Sequence, residues 1–298
     1  MRSNRSTLNA LLLLSGLLGP VHPLRAQDTA ATQVNRPRLL GVAVGGGLVV
    51  AGTLVALDKA WYSQYERVPF QTFNDGDEWL QMDKVGHAYS TYTVGRWGKG
   101  LLDWSGVDDR TATWVGGSIG LIYLTGVEYL DAHSAGWGWS WWDMAANVAG
   151  TGLFIGQELG WHEQRFRLKY SAHLSPYAAQ DPDLLGSTVP QRILKDYNGA
   201  TYWLSVAPSA FKRSSARCKW FSLSFGYGAE GLVSAMPADN DPPPVRQFYL
   251  SFDVDMERIP TRSKFLRTTF FLLNCIKVPA PALEYRSNGV WYGHWLYF

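Results

Sequence analysis

Asp83 and His87 stand four residues apart, a spacing that puts a carboxylate and an imidazole on one face of a helix. Further along the chain Glu128 and Asp131 close one apolar stretch, and Ser140, Asp143 and Asn147 open the next, the last two again four apart. With Lys84 these make the candidate catalytic set: Asp83, Lys84, His87, Glu128, Asp131, Asp143 and Asn147. Ionisable groups among apolar helices are costly unless they turn inward and meet, which makes their convergence a site hypothesis. Three readings follow. In the first, His87 is a general acid or base, Asp83 or Asp143 orients it, and Glu128 tunes the local charge. In the second, His87 with Glu128, Asp131 and Asp143 forms an oxygen-rich metal site, but no HExxH or comparable spacing supports it, so neither a metal nor another cofactor is expected. In the third, Asp83, Lys84, His87, Glu128, Asp143 and Asn147 satisfy one another and fix helix register. The sequence has no G-x-S-x-G elbow and no Walker loop, which leaves serine-hydrolase and P-loop chemistry without support. His133 and His162, near helix ends, read as interfacial.

Four helical stretches must position this set: Leu39 to Leu57, Asp83 to Trp104, Asp109 to Leu130 and Ser140 to Arg165. The first is uncharged throughout and long enough to cross most of a bilayer, or else it is a core helix apolar on every side. Gly41/Gly45, Gly116/Gly120, Gly152/Gly156 and Gly156/Gly160 are each four apart, which predicts close helix contacts of the membrane type. Tryptophans at helix ends, among them Trp104, Trp137, Trp141 and Trp161, fit an interfacial aromatic belt.

After Arg165 the pattern changes. Tyr177 to Pro190 reads as loop and Lys195 to Gly199 as a turn. Phe221 to Tyr227 and Phe248 to Met256 then alternate with period two, the mark of half-buried strands. Tyr202 to Ala207, Ala282 to Arg286 and Val290 to Phe298 are further strand candidates, and Thr261 to Asn274 a short helix with Thr261 as its N-cap. About five strands are too few for a closed outer-membrane barrel of at least about eight, although the aromatic end Trp295 to Phe298 resembles a last barrel strand. The expected fold class is α+β: a small-residue-rich bundle of about four helices followed by an antiparallel sheet with one short helix. The expected division is a leader over residues 1–26, the bundle over 27–170, a linker over 171–200 and a sheet region over 201–298 packed on the bundle.

The leader follows from two early arginines, an apolar run from Leu8 to Leu18, and Ala26 at the cleavage edge. It predicts export across the inner membrane to the periplasm or outer membrane of a Gram-negative envelope. No cysteine lies near that edge, so no lipid-anchored N-terminus is expected. Cys218 and Cys275 are the two cysteines, free to pair if geometry allows. With 27 Lys+Arg against 25 Asp+Glu in 298 residues and no basic cluster, nucleic acid is not an expected partner. Lipid or membrane is.

The combined pattern of Asp83-Lys84-x-x-His87, Glu128-x-x-Asp131 and Ser140-x-x-Asp143-x-x-x-Asn147-x-x-Gly150 resembles the YfiM-like family of predicted periplasmic or outer-membrane proteins, domain of unknown function 2279. Trp161-x-x-Gln164-Arg165, Leu194 to Ser205, Gly226 to Gly231 and Lys277 to Glu284 are similar to its long, Bacteroidetes-type members. The helical motif alone is also similar to VanZ-like membrane proteins. The resemblance brings no activity. It implies that helices and sheet recur together; the expected role is structural or lipid-associated in the cell envelope, and the alternative is a membrane-embedded enzyme acting on a lipid or envelope headgroup. Many family members are lipoproteins, a feature not carried over in the absence of an N-terminal cysteine.

Overall fold

The computed structural model describes residues 33–211, 218–237 and 241–298, so the expected leader lies outside the described residues. Val34–Phe298 form one compact unit.

Helix α1 spans Arg36–Leu57, opened by Asn35, whose side chain accepts from the Arg38 amide. Its start is tied down by the Asn35 amide donating to Ser105 O (2.9 Å) and by the Arg38 guanidinium on Trp104 O (3.2 Å). No residue of α1 is buried, which overturns the core-helix reading of Leu39 to Leu57. At 22 residues it is about 33 Å long.

Helices α2 (Met82–Trp104), α3 (Gly117–Asp131, continuing a wide turn over Ala112–Gly116) and α4 (Trp141–Trp161) pack together. The close approach is real at Gly116, Gly120 and Gly150, where an added Cβ would collide with the backbones of Lys99, Thr91 and Ala88. Gly41, Gly45, Gly152, Gly156 and Gly160 instead have nothing within 4 Å, so their spacing does not mark a contact. Helix α4 stops at Trp161, short of Arg165, because His162 turns left-handed and the Gln157 side chain accepts from the Arg165 and Phe166 amides.

Two short strands, β1 (Thr72–Phe73) and β2 (Trp139–Ser140), pair in parallel beside the helix ends. The main sheet is an antiparallel meander of six strands in chain order: β3 (Phe166–Ala172), β4 (Ala200–Val206), β5 (Phe221–Glu230), β6 (Val245–Val254), β7 (Ala280–Arg286) and β8 (Trp291–Tyr297). Strand β3 escapes a sequence reading because Arg167 and Lys169 make it look polar; both point inward, and Lys169 pairs with Asp253 at 2.9 Å with neither side chain exposed. The stretch read as loop contains helix α5 (Pro182–Leu185, capped by Asp181) and the start of α6 (Val189–Lys195, opened by a Thr188/Gln191 capping box). Helix α7 is Lys264–Leu273, capped by Ser263 rather than Thr261, because Ser263 Oγ accepts from the Leu266 amide. Cys218 and Cys275 are free thiols, one exposed and one buried.

The sheet's half-burial runs opposite to a soluble sheet's. Ser205, Ser222, Ser224, Gln247, Asp253 and Glu284 are buried on one face, whereas Phe225, Phe248, Leu250, Phe252 and Leu283 are exposed on the other. The outer face of β3 and β4 is covered by α2: Tyr89 packs on Tyr170 and Tyr202, and Leu168 adjoins the Tyr92/Phe154/Ile155 cluster.

Candidate acid–base site

The chain enters α2 through Trp79, Leu80 and Gln81, three consecutive non-glycine residues with positive φ (51°, 49° and 62°). Such a left-handed run is costly and persists only where its surroundings hold it. Here Leu80 O accepts from the Tyr227 hydroxyl and from Arg246 Nη1 (3.0 Å), Trp79 N donates to Ala235 O (2.9 Å), and Gln81 Nε2 donates to Gly76 O (2.8 Å). The turn delivers Asp83 and Lys84 in the first turn of α2 and His87 one turn later. The last turn of α3 brings Glu128 and Asp131, and Ser140 caps α4 by accepting from Asp143 N (3.0 Å), placing Asp143 and Asn147 on its inner side.

All seven sequence-derived residues lie in this one region. His87 Nδ1 is 3.1 Å from Asn147 Oδ1, while His87 Nε2 is 3.6 Å from Asp83 and 3.9 Å from Asp143, beyond hydrogen-bond reach. The group that orients the ring is therefore Asn147, in place of the expected Asp83 or Asp143. Asn147 Oδ1 fixes the proton on Nδ1 and leaves Nε2 facing the two carboxylates. Lys84 Nζ pairs with Asp143 at 2.8 Å and Asp83 at 3.1 Å, and also with Asp75. Glu128 is 1% exposed: its Oε2 accepts from Ser140 N (3.1 Å), and Oε1 lies 3.7 Å from His87 Nδ1 without a hydrogen-bond partner among the described residues. Asp131 stands apart from the imidazole and accepts from the Tyr62 hydroxyl at 2.8 Å.

Sequence reasoning missed Asp75, Tyr197 and Tyr62. Asp75 accepts from Ser140 Oγ, brought there by the β1/β2 pairing, and Tyr197 donates to Asp83 at 2.8 Å. Tyr197 sits in the Lys195 to Gly199 stretch, whose turn signal hid the hydroxyl's role; Asp75 lies in an Asn-Asp-Gly-Asp run that looks like an ordinary turn.

These groups line a chamber of about 280 Å³. Leu57, Trp61, Phe73, Trp79 and Leu194 form its apolar part, with Phe73 and Leu194 exposed at the rim; Asp75, Asp83, His87, Asp131, Asp143 and Tyr197 form its polar part, with Asp75 and Asp143 buried. Burial raises Glu128 to about 8 and Asp131 and Asp143 to about 7. Burial also works against the charged form of His87, but Asp83, Asp143 and Glu128 outweigh it and raise its pKa. Asp83 moves the other way: His87 and Lys84 overcome its burial and hold it below the usual carboxylate range.

Asp83, His87 and Asp143 each place one ligand atom within 4.8 Å of the others, a different trio from the metal set weighed from sequence. Lys84 already supplies a fixed ammonium to both of those carboxylates. His133 is outside the chamber, packed between Phe70 and Tyr129, and His162 caps α4 with its ring 3.5 Å from Asp109.

The fold and site define an α+β protein whose helix ends enclose a carboxylate-rich acid–base chamber. Residues 72–155, which carry the helical part of that chamber, match the family described as predicted periplasmic lipoprotein, DUF2279. No curated protein and no solved structure matches the chain.

Proposed function

We propose that this chain is a cell-envelope protein working at a lipid surface, and that its chamber receives the headgroup of an amphiphile and moves a proton on it through His87. One observation carries the reading: a single chamber joins an apolar rim, including the last residue of the unburied helix α1, to a buried acid–base floor. Amphiphiles need that combination, and a headgroup held there stays beside its acyl chains. Four carboxyl groups, Asp75, Asp83, Asp131 and Asp143, line the floor with His87, so it favours ammonium or hydroxyl groups over a bare phosphate. His87 Nε2, with Nδ1 anchored on Asn147, takes the proton of a water that adds to the headgroup's ester and passes it to the leaving alcohol, so the ester bond breaks as the bond to the water oxygen forms, and hydrolysis is the conversion expected.

The test incubates purified protein in detergent with phosphatidylethanolamine or phosphatidylglycerol and follows the lipids by mass spectrometry. Conversion of the ethanolamine lipid by wild type, and none by His87→Gln at an unchanged melting temperature, is the expected result. A second reading, in which the cluster is a structural network fixing helix register, is favoured by the partners found for Asp75, Lys84, Ser140 and Asn147. It takes over if neither lipid is converted and His87→Gln melts many degrees lower.

A further inference from the structure

We infer that the uncovered outer face of β5–β8 is a lipid-facing wall lying in the hydrocarbon of the bilayer, with the polar face of the sheet rolled inward as the protein's interior. The inference rests on the lipid-surface reading above and extends it to a surface far larger than the chamber.

The sheet register shows how consistent the face is. Outward residues pair Leu223 with Phe252, Phe225 with Leu250, Tyr227 with Phe248, Leu250 with Leu283, and Tyr285 with Trp291. None is charged. Charges gather at the two ends of the band: Arg246 and Arg286 beside the chamber end, and Asp255, Glu257 and Arg258 at the other. Inward residues are instead polar and mutually bonded, as in Ser205 Oγ with Asp253 (2.6 Å), Trp203 Nε1 with Ser171 (2.8 Å), and Thr201 with the Tyr297 hydroxyl across the roll (2.9 Å). Water favours the reverse arrangement, and a sheet with an apolar outside and a polar inside is the pattern of strands in lipid.

Continuity and length identify the occupant. The same outer face is covered by α2 over β3 and β4, where its aromatic residues meet protein, and by the Trp79–Leu80 turn and Met82 at Tyr227 and Ala229 of β5, and it runs on uncovered over the rest of β5–β8, where Trp295 is 93% exposed. Outside it lies an apolar groove of about 540 Å³ between Leu223, Leu250, Phe252, Pro281, Leu283 and Trp295. Strands β5 and β6 have 10 residues each, about 33 Å of extended chain. That equals the length of α1 and approximates the bilayer's hydrocarbon thickness of about 30 Å. A second copy seated on the sheet would leave α1, and exposed Trp114, Ile122 and Val148 on the helices, in water. A bilayer covers them together.

Single cysteines in a Cys218→Ser/Cys275→Ser background, labelled with an environment-sensitive fluorophore in phosphatidylcholine vesicles, test this. The labelled sites are Leu250→Cys on the face, Asn288→Cys in the β7–β8 turn and Leu48→Cys on α1. Mid-chain nitroxide lipid is expected to quench the Leu250 and Leu48 sites several-fold, and aqueous iodide only the Asn288 site. Iodide quenching at Leu250 with lipid quenching at Leu48 overturns the wall and leaves the lipid-surface reading standing. Iodide quenching at both overturns both. A Leu250 site shielded from iodide and from lipid nitroxide alike means a protein partner covers the face, and also overturns the wall. A second measurement needs no cysteine replacement: brominated acyl chains should quench a smaller share of the tryptophan fluorescence in Trp295→Phe than in wild type, and an equal share counts against the inference.

Discussion

Glu128, Asp131 and Asp143 hold protons at pH values where an unfolded chain has released them. Their stabilisation is complete below about 4, the carboxylates' ordinary range, and is lost as pH rises through the folded values of about 7 and 8. His87, also raised, adds to the loss on the alkaline side. Asp75 and Asp83, both held low, contribute in the opposite sense and lose their stabilisation in acid. Thermal melts at pH 5, 7 and 9 should therefore fall steadily in midpoint, and Glu128→Gln should flatten the fall between pH 7 and 9; an unchanged slope would mean Glu128 is ionised in the fold. At this scale much was legible in the sequence. Four-residue spacing and the cost of burying charge brought seven residues to one region without any structure. What was not legible is who holds whom: Asn147 rather than a carboxylate on the imidazole, and Asp75 and Tyr197 arriving from a turn and a distant loop. Those contacts depend on strand pairing and chain reversal, which no local spacing encodes.

The left-handed turn Trp79–Leu80–Gln81 couples the sheet to the site, since Arg246 and Tyr227 both reach Leu80 O. Removing one donor should cost about 1–3 kcal/mol and loosen the start of α2. The expected outcome for Arg246→Ala is a lower melting midpoint together with weaker lipid conversion, although Arg246 touches no chamber group; equal activity at the lower midpoint would show the turn is independent of the site. Helix packing gives a paired expectation: Gly116→Val should destabilise by about 1–3 kcal/mol because it strikes the Lys99 backbone. Gly152→Ala, facing open space, should stabilise by up to about 1 kcal/mol, and denaturant melts would read both. Sequence periodicity located α1, α2, α4 and α7 to within a few residues but read α5 and the start of α6 as loop, and it could not tell contact glycines from exposed ones, because a four-residue spacing recurs on every face. It also passed over β3, whose two cations look like surface until Asp253 and Asp255 are seen opposite them.

As a whole the molecule buries many of its charges and displays apolar side chains on β5–β8, α1 and parts of α3 and α4. Membranes from cells expressing the untagged chain should keep it through an alkaline carbonate wash; release into the soluble fraction would remove the lipid argument. The α+β class and the helix-then-sheet order were readable from the change of period near residue 166, whereas the inverted burial was not, since alternation reports two unlike faces without saying which meets water. Helix α1 starts beside Ser105 at the far end of α2 and finishes at Leu57 on the chamber rim. Were α1 to cross the bilayer as proposed, Asn35 and His87 would open to opposite sides, and a membrane-impermeant reagent that modifies Asn35 from one side would reach His87 only from the other.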